Sequence, residues 1–331
     1  MDSQKERRRP RLLRILLNLG ITCYKSALDE CRVLGSAKRP LWLVWDNPDE
    51  LAEMATQTHE IIFKNGDDLR QDMLTLQVLR IMDNIWKSEG YDFCLTPYSC
   101  LPMGKNIGMI EVVRKSKTIF EIQCSQRRIG AAFSTSGAFL NRWIKDHNWE
   151  QEKYEEAVDR FTRSCAGYCV ATFVLGIKDR HPDNIMVTED GRIFHIDFGH
   201  FLGHYKKKLG INRDRVPFVL LDHFITVIAK GASNPRDSTE FKKFQHLCGK
   251  AYMTLHKHAR LFVSLFTMML CMGIPELQRP EDIDYLRKTL SADSNEHDAL
   301  AYFQEQFNVA YDGAWTTKTN WFFHSVRHKA M

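Results

Sequence analysis

Two carboxylates and one amide in the middle of the chain are spaced so that they could meet at one site. Asp179 precedes Asn184 by five positions, and Asn184 precedes Asp197 by thirteen. Amide and carboxylate oxygens are hard ligands of the kind that hold Mg²⁺ on a nucleotide, and a proton-handling group must lie near the attacking hydroxyl. Asn184 and Asp197 can supply the ligands, and Asp179 or His181 can handle the proton. The pattern predicts a site for phosphoryl transfer.

A tight hairpin is predicted between these groups. Two β-type runs, 185–187 and 192–196, flank the turn sequence Glu189-Asp190-Gly191. A hairpin brings the end of its second strand back to the start of its first, so we expect Asn184 and Asp197 at the same edge. Each motif alone could arise by chance, but their order around a hairpin favours a functional site.

The spacing matches the protein-kinase template of a catalytic Asp, a metal-binding Asn and an Asp-Phe-Gly turn. Here positions 179–181 are Asp-Arg-His instead of His-Arg-Asp, and Asp-Phe-Gly is followed by His200. This reversed order resembles the phosphoinositide 3/4-kinase superfamily, including its protein-kinase branch, over about 31–331. The resemblance implies an α+β, two-lobed protein-kinase-like fold, ATP and Mg²⁺ as cofactors, and Arg180 and His200 as part of the catalytic apparatus.

Composition excludes several other classes of protein. The 331 residues are 44% hydrophobic, and no apolar run is long enough to span a bilayer. The net charge of +5 does not indicate a surface that coats nucleic acid, so we expect no nucleic-acid partner. None of the nine cysteines forms a Cys-x2-Cys pair, which favours core thiols in a reducing, cytoplasmic compartment over a metal site.

Three parts are predicted along the chain. Residues 1–22 form a basic leader with six cations and two acids, and we leave its role unassigned. Residues 23–112 are predicted to form a small β-rich N-lobe with one long helix, whose start the leader replaces. Residues 113–331 are predicted to form a larger, mostly helical C-lobe. A helix predicted over 154–175 has a buried stripe and leads directly to the catalytic loop.

A lysine of the N-lobe is a candidate for the phosphate contact. Lys64 ends an apolar strand, from which its ammonium could reach a nucleotide. A helix is predicted over 67–88, with Asp67 and Asp68 in its first turn, where the helix dipole favours acids. Asp72 lies one turn further on and could pair with Lys64 or could simply be solvated.

The resemblance adds further nucleotide contacts. Segment 36–45 resembles the phosphate-binding loop of class I phosphoinositide 3-kinases, and segment 109–113 resembles the hinge that hydrogen-bonds adenine. By sequence alone the first is equally a basic turn before a strand, and the second is simply a strand. The implied nucleotide-binding residues are Ser36, Trp42, Lys64, Asp72, Tyr98, Glu111, Val113, Met186 and Ile196.

The segment after the Asp-Phe-Gly turn bears on the substrate. Residues 199–218 carry five cations and one acid, and the cations are Lys206, Lys207, Lys208, Arg213 and Arg215. Clustered cations attract the phosphates of an inositol headgroup, and the two basic boxes resemble the class I substrate-recognition segment. A solvated basic loop or a nuclear-targeting patch is the alternative.

The last third of the chain is predicted to be helical. Its final segment, 315–331, combines aromatic and cationic residues, as expected of a helix lying on a membrane surface. It resembles the lipid-contacting tail helix of the alpha-type class I catalytic subunit. A packed helix with a basic face is the alternative.

Together the resemblance implies a class I, alpha-type-like phosphoinositide 3-kinase domain. It would phosphorylate the inositol 3-hydroxyl of phosphatidylinositol 4,5-bisphosphate, and it would be recruited from the cytoplasm to the inner face of the plasma membrane through the activation loop and the C-terminal helix. The adaptor-binding, Ras-binding, C2 and helical domains of class I subunits are not found in the sequence, so no regulatory-subunit contact through them is expected. The alternatives are a protein serine/threonine kinase of the related branch and a non-catalytic lipid-binding module.

One residue departs from the family pattern. Lys178 stands directly before Asp179, where the family usually has glycine. If that position required φ > 0, lysine would be strained there by about 1–3 kcal/mol. Lys178 would also place a cation beside the catalytic groups.

Overall fold

The computed structural model describes residues 30–35, 38–46, 58–128, 138–204, 207–208, 211–212 and 216–313. Several sequence predictions fall outside these ranges: the leader 1–22, Ser36, Lys206, Arg213, Arg215 and the C-terminal segment 315–331. The described residues divide into two compact units. Written for the whole chain, the first unit comprises 1–73 and 98–113, and the second comprises 74–97 and 114–331. No helix within the described ranges is both long and apolar enough to cross a membrane.

The first unit is built on a five-stranded antiparallel sheet in the order β1-β2-β3-β5-β4. The strands are β1 (Arg32–Val33), β2 (Leu41–Asp46), β3 (Thr58–Asn65), β4 (Cys100–Gly104) and β5 (Ile107–Glu111). Trp45, Ile61 and Met109 form its buried cluster. The two central strands β2 and β3 are rich in β-branched and aromatic residues, which pack well on a pleated surface. The strands predicted around Trp42, Lys64 and Met109 are thus confirmed.

Helix α1 (Arg70–Ser88) begins in the first unit and continues through the second. Its predicted buried face is confirmed at Leu76, Leu79, Met82 and Trp86. The prediction that Asp67 and Asp68 lie in its first turn is wrong, because the helix starts only at Arg70. Asp68 instead accepts hydrogen bonds from the backbone N–H and the side chain of Arg70, so the chain turns before the helix begins.

The second unit contains the remaining helices and two small sheets. The helices are α2 (Ile119–Arg128), α3 (Ala138–His147), α4 (Gln151–Val174), α5 (Asp222–Ile228), α6 (Thr239–Lys257), α7 (Ala259–Met269), α8 (Pro280–Thr289) and α9 (Glu296–Asp312). One sheet comprises β6 (Ser116–Thr118), β7 (Ile185–Thr188) and β8 (Ile193–His195), and the other pairs β9 (Lys207–Lys208) with β10 (Ile211–Asn212). The helix predicted over 154–175 is confirmed as α4, with its start three residues earlier. The helical prediction for the last third of the chain is confirmed as far as Asp312, the end of α9.

Helix α4 is the centre of the second unit. From Ser164 to its end every residue is buried, so this half is enclosed on all sides and not along one stripe alone. Phe173, near its end, belongs to an aromatic cluster with Phe218, Tyr252 and Phe303. Such dense packing gives the loop that follows a rigid starting point.

The β7–β8 hairpin was predicted from its turn sequence, and it is confirmed. Ile185 pairs with His195, and Val187 pairs with Ile193. The hairpin is fastened to α4, since the Oγ of Ser164 accepts a hydrogen bond from the N–H of Ile193 at 3.0 Å. Helix α4 therefore holds both the loop that follows it and the hairpin beyond that loop.

Gly191 in the hairpin turn offers a test of this fastening. It has φ 96°, and a Cβ built there would lie 2.2 Å from the backbone oxygen of Ala157 in α4. We expect Gly191→Ala to lower the free energy of unfolding by about 2–4 kcal/mol, because a helix backbone cannot move aside. Urea denaturation measures this difference.

Gly90→Ala is the matched control. Gly90 also has positive φ, at 83°, but a Cβ built there would have nothing within 4 Å. Gly90→Ala should lower the free energy of unfolding by only about 1 kcal/mol, the cost of placing alanine at positive φ. Equal losses for the two variants would contradict the close approach of the turn to α4.

Candidate active site

The loop after α4 is held by backbone hydrogen bonds on both sides. The N–H of Ile177 donates to the oxygen of Thr172 at 2.9 Å, and the N–H of Lys178 donates to the oxygen of His200 at 3.1 Å. The N–H of Leu202 donates to the oxygen of Leu175 at 2.7 Å. The loop that begins at Leu175 and the segment after Asp-Phe-Gly therefore run side by side.

The hairpin brings Asn184 and Asp197 together, as the spacing predicted. The N–H of Ile196, the residue before Asp197, donates to the backbone oxygen of Asn184 at 3.0 Å. The Asn184 side chain donates to the oxygen of Asp179 at 2.6 Å and accepts from the N–H of His181 at 2.8 Å. Asn184 is therefore fixed by both ends of the Asp-Arg-His segment.

Arg180 connects the Asp-Arg-His segment to the Asp-Phe-Gly turn. Its guanidinium is buried and donates to the backbone oxygens of Lys178 at 3.0 Å, of Ile196 at 2.7 Å and of Asp197. The same group lies over the ring of Phe198, with 5.9 Å to the ring centroid. A planar fork of N–H donors suits several carbonyls at once. Arg180 therefore holds the metal-ligand candidate Asp197 in place through its backbone.

Both aspartates at this site have left-handed backbone conformations. Asp179 has φ 60° and Asp197 has φ 62°. Asp tolerates this region better than most non-glycine residues, but it still carries a cost of about 1–3 kcal/mol. Surrounding hydrogen bonds of the kind described above are needed to maintain it.

The backbone strain considered for Lys178 does not arise. Lys178 does not have positive φ, since the left-handed residue is the next one, Asp179. The side chain is buried, and Nζ donates to the backbone oxygens of Val216 and Pro217, each at 3.0 Å.

The two histidines proposed for catalysis occupy different surroundings. His181 is half-buried in the loop. His200 has its Nδ1 2.7 Å from a carboxylate oxygen of Glu276, whose other oxygen accepts from the N–H of Phe201 at 2.7 Å. Because a carboxylate only accepts, the bond places the hydrogen on Nδ1 and leaves Nε2 of neutral His200 as the acceptor. Glu276 was missed from the sequence, because nothing in its neighbourhood predicts contact with a residue 76 positions away.

A third histidine nearby has a structural role. His195 is buried and stacks on Tyr168, with ring centroids 5.3 Å apart. Burial, assisted by the positive charge of Arg180, holds the pKa of His195 well below its ordinary value. His195 is therefore neutral at physiological pH and serves as a packed core residue.

In the first unit, Lys64 lies in β3, one residue before the strand ends at Asn65. Its ion pair is with Asp67, at 3.4 Å, instead of Asp72. Asp72 lies buried in the first turn of α1. Burial and the Asp72 carboxylate raise the pKa of the Cys100 thiol to about 12, against the opposing charge of Lys64. Asp72, Lys64 and Cys100 therefore share one electrostatic environment.

The other residues assigned to the nucleotide by resemblance lie on or beside strands. Trp42 is in β2 with the guanidinium of Arg32 over its ring, and Tyr98 is buried just before β4. Glu111 ends β5, where its carboxylate accepts from the N–H of Ser99 at 2.7 Å, and Val113 follows two residues later. In the second unit, Met186 is in β7, and Ile196 directly follows β8.

The segment proposed to bind substrate is described at its two ends and at its short hairpin. Lys207 and Lys208 form β9, paired with β10. At its start, His204 Nε2 lies 3.0 Å from the carboxylate of Asp282. At its end, Phe218 is buried in the aromatic cluster. The segment is thus held at one end by Asp282, and at the other by the hydrogen bonds from Lys178 to the carbonyls of Val216 and Pro217. No sequence pattern predicted these contacts.

Comparison with known proteins gives matches over most of the chain. The family model described as phosphatidylinositol 3- and 4-kinase matches residues 58–279. The chain is 49% identical over 328 residues to phosphatidylinositol 3-kinase age-1 of Caenorhabditis elegans, and 46% identical over 301 residues to phosphatidylinositol 3-kinase 2 of Dictyostelium discoideum. Each alignment covers 91% of this chain but only 28% of the worm protein and 16% of the Dictyostelium protein. The chain therefore spans less than a third of either relative.

The role of Arg180 can be tested by a substitution that keeps its charge. We expect Arg180→Lys to lower the free energy of unfolding by about 2–4 kcal/mol, because one ammonium cannot reach all three carbonyls. The matched control is Arg163→Lys, since Arg163 forms more exposed ion pairs with Asp159 and Asp92. That control should cost less than about 1 kcal/mol. If Arg180→Lys and Arg163→Lys unfold at the same urea concentration, Arg180 does not organise the turn.

Asp282 predicts a contribution to stability that depends on pH. Burial alone would raise the pKa of Asp282, but the N–H groups of Gln278 and Arg279 and the His204 ring outweigh it and hold the pKa below the ordinary 3.8. The contribution is therefore present above pH 3.8 and is lost as pH falls through the lowered value.

Urea unfolding at several pH values between 7 and 3 checks this prediction. Asp282→Asn should be less stable than the parent at pH 7, and the difference should shrink below about pH 4. The exposed Asp293→Asn should match the parent throughout. A difference between the parent and Asp282→Asn that is constant with pH would rule out the contribution of the ionised carboxylate.

Proposed function

The chain belongs to the phosphatidylinositol 3- and 4-kinase family and shares its two-lobed kinase-like fold, and from this we propose that it is a lipid kinase. It transfers the γ-phosphate of ATP to the inositol 3-hydroxyl of a phosphoinositide. The observation that carries this proposal is the convergence of Asp179, Asn184 and Asp197 through the hairpin and the Arg180 fork. The two relatives are both named phosphatidylinositol 3-kinases, which supports the position of the acceptor hydroxyl.

Asn184 and Asp197 have the chemistry required to hold Mg²⁺. The Asp197 residue is exposed, and its carboxylate oxygens have no hydrogen bond or ion pair to any residue in the described ranges. The Asn184 oxygen accepts one hydrogen bond and retains a second lone pair. One amide and one carboxylate suit Mg²⁺, which takes its other ligands from water and phosphate. Bound there, Mg²⁺ would neutralise charge on the phosphates.

Protons and phosphates are managed by the neighbouring side chains. His200 is oriented by Glu276 so that Nε2 can accept a proton, which supports a role for His200 beside Asp179 and His181. Arg180 fixes the backbone of both the catalytic loop and the metal-binding turn. Lys64 at the end of β3 holds the nucleotide phosphates, and residues of β2 and β5 line the adenine site.

The substrate proposed is phosphatidylinositol 4,5-bisphosphate. Five cations in the segment between His204 and Val216 support a densely phosphorylated headgroup. The same segment and the aromatic and basic residues of 315–331 support contact with the inner face of the plasma membrane, to which a cytoplasmic protein would be recruited.

The test uses the protein with ATP, Mg²⁺ and vesicles that contain phosphatidylinositol, its 4-phosphate or its 4,5-bisphosphate. Phosphate should appear at the 3-position, fastest with the bisphosphate. Asp197→Asn should lose at least about a hundredfold in rate, because the metal ligand loses its charge. The exposed Asp293→Asn is the control and should retain the parent rate.

The other outcomes of this experiment identify different functions. Phosphate transferred to added protein and not to any lipid would indicate a protein kinase of the related branch. Vesicle binding with equal ATP turnover by the parent and Asp197→Asn would indicate a non-catalytic lipid-binding module.

A further inference from the structure

Lys178 makes an unusual connection for a lysine in a catalytic loop. Its side chain is almost fully buried, with 5% of the residue exposed. A buried ammonium is costly unless hydrogen-bond acceptors surround it. Nζ donates to the backbone oxygens of Val216 and Pro217, both at 3.0 Å. These contacts satisfy two of the three donors of the ammonium.

The backbone of Lys178 connects two further segments. Its N–H donates to the oxygen of His200, and its own oxygen accepts from Nε of Arg180. Lys178 thus joins three parts of the second unit: the catalytic loop, the residue after the Asp-Phe-Gly turn, and the backbone at 216–217. A displacement of any one of these parts would strain its hydrogen bonds to the other two.

The two carbonyls that Lys178 binds lie directly before a buried aromatic residue, Phe218. Phe218, the next residue, is 2% exposed and packs against Phe173, Phe303 and Phe307. Two consecutive carbonyls bound by one ammonium fix the direction of the backbone just before this anchor. Without the Lys178 ammonium, the aromatic cluster would still hold Phe218, but 216–217 would lose both of these hydrogen bonds to the catalytic loop.

We propose that Lys178 is a positioning residue for the lipid acceptor. Lys178 fixes the position of 216–217, the end of the segment 199–218 that is proposed to bind substrate, relative to Asp179 and Asn184. In this way it determines where the lipid headgroup lies relative to the transferred phosphate. The inference rests on the proposed function and adds a determinant of acceptor binding to it. Glycine at this position could not make the connection, since it has no side chain.

The test compares Lys178→Met, which keeps most of the side-chain length, with Lys178→Gly, which removes it. Both variants lose the ammonium, and both should raise the KM for vesicles containing phosphatidylinositol 4,5-bisphosphate about tenfold. The KM for ATP should stay within about twofold of the parent, because the contacts with 216–217 do not involve the nucleotide residues. Lys243→Met, on the exposed face of α6, is the matched control.

Hydrogen exchange gives a readout that does not need lipid activity. Peptides covering 216–221 should exchange faster in both Lys178 variants than in the parent, and they should be unchanged in Lys243→Met. Peptides from α6 should be unchanged in all three variants, which distinguishes a local effect from general destabilisation.

The possible results separate the two proposals. A parent protein that phosphorylates no phosphoinositide would overturn the proposed function, and hydrogen exchange would then still decide whether Lys178 positions 216–217. An active parent with an unchanged lipid KM in either Lys178 variant would overturn the inference alone. A parallel rise in the KM for ATP would also overturn it, since this would show a general disturbance of the catalytic loop.

Discussion

Burial of the Arg180 guanidinium against backbone carbonyls is the interaction on which the candidate site depends. A buried cation without acceptors would destabilise the protein by several kcal/mol, so the three carbonyls must stay in place around it. Those carbonyls belong to Lys178, Ile196 and Asp197, on both sides of the hairpin. The requirement of one side chain for acceptors therefore fixes the two segments that flank the hairpin in sequence.

Lys178 is a second buried cation that binds backbone carbonyls, but its acceptors lie in a different segment. Arg180 connects the catalytic loop to the metal-binding turn, whereas Lys178 connects it to the backbone before Phe218. After the Asp-Phe-Gly turn, two carboxylates bind histidine side chains, Glu276 at His200 and Asp282 at His204. The polar side chains at this site thus mostly bind backbone or histidine and leave the exposed Asp197 carboxylate for ligands.

Much of the arrangement could be predicted from the sequence, because it depends on local patterns. The hairpin, helix α4 and the approach of Asn184 to Asp197 follow from turn residues, apolar periodicity and spacing. The start of α1, the pairing of Lys64 with Asp67 and the role of Glu276 could not be predicted. They depend on tertiary contacts or on the choice between neighbouring acids, and neither leaves a periodic signal.

Lys178 shows most clearly why this limit is physical. From sequence, the departure from glycine suggested a strained backbone, since glycine often marks positive φ. In the structure the left-handed residue is Asp179, and the buried ammonium of Lys178 is satisfied by hydrogen bonds to the carbonyls of Val216 and Pro217. Whether the extra side chain destabilises the loop or stabilises it depends on which hydrogen-bond acceptors it can reach. For Lys178 those acceptors are 38 and 39 residues away in sequence. A substitution that looks like damage in the sequence can therefore be an additional constraint on the position of the loop.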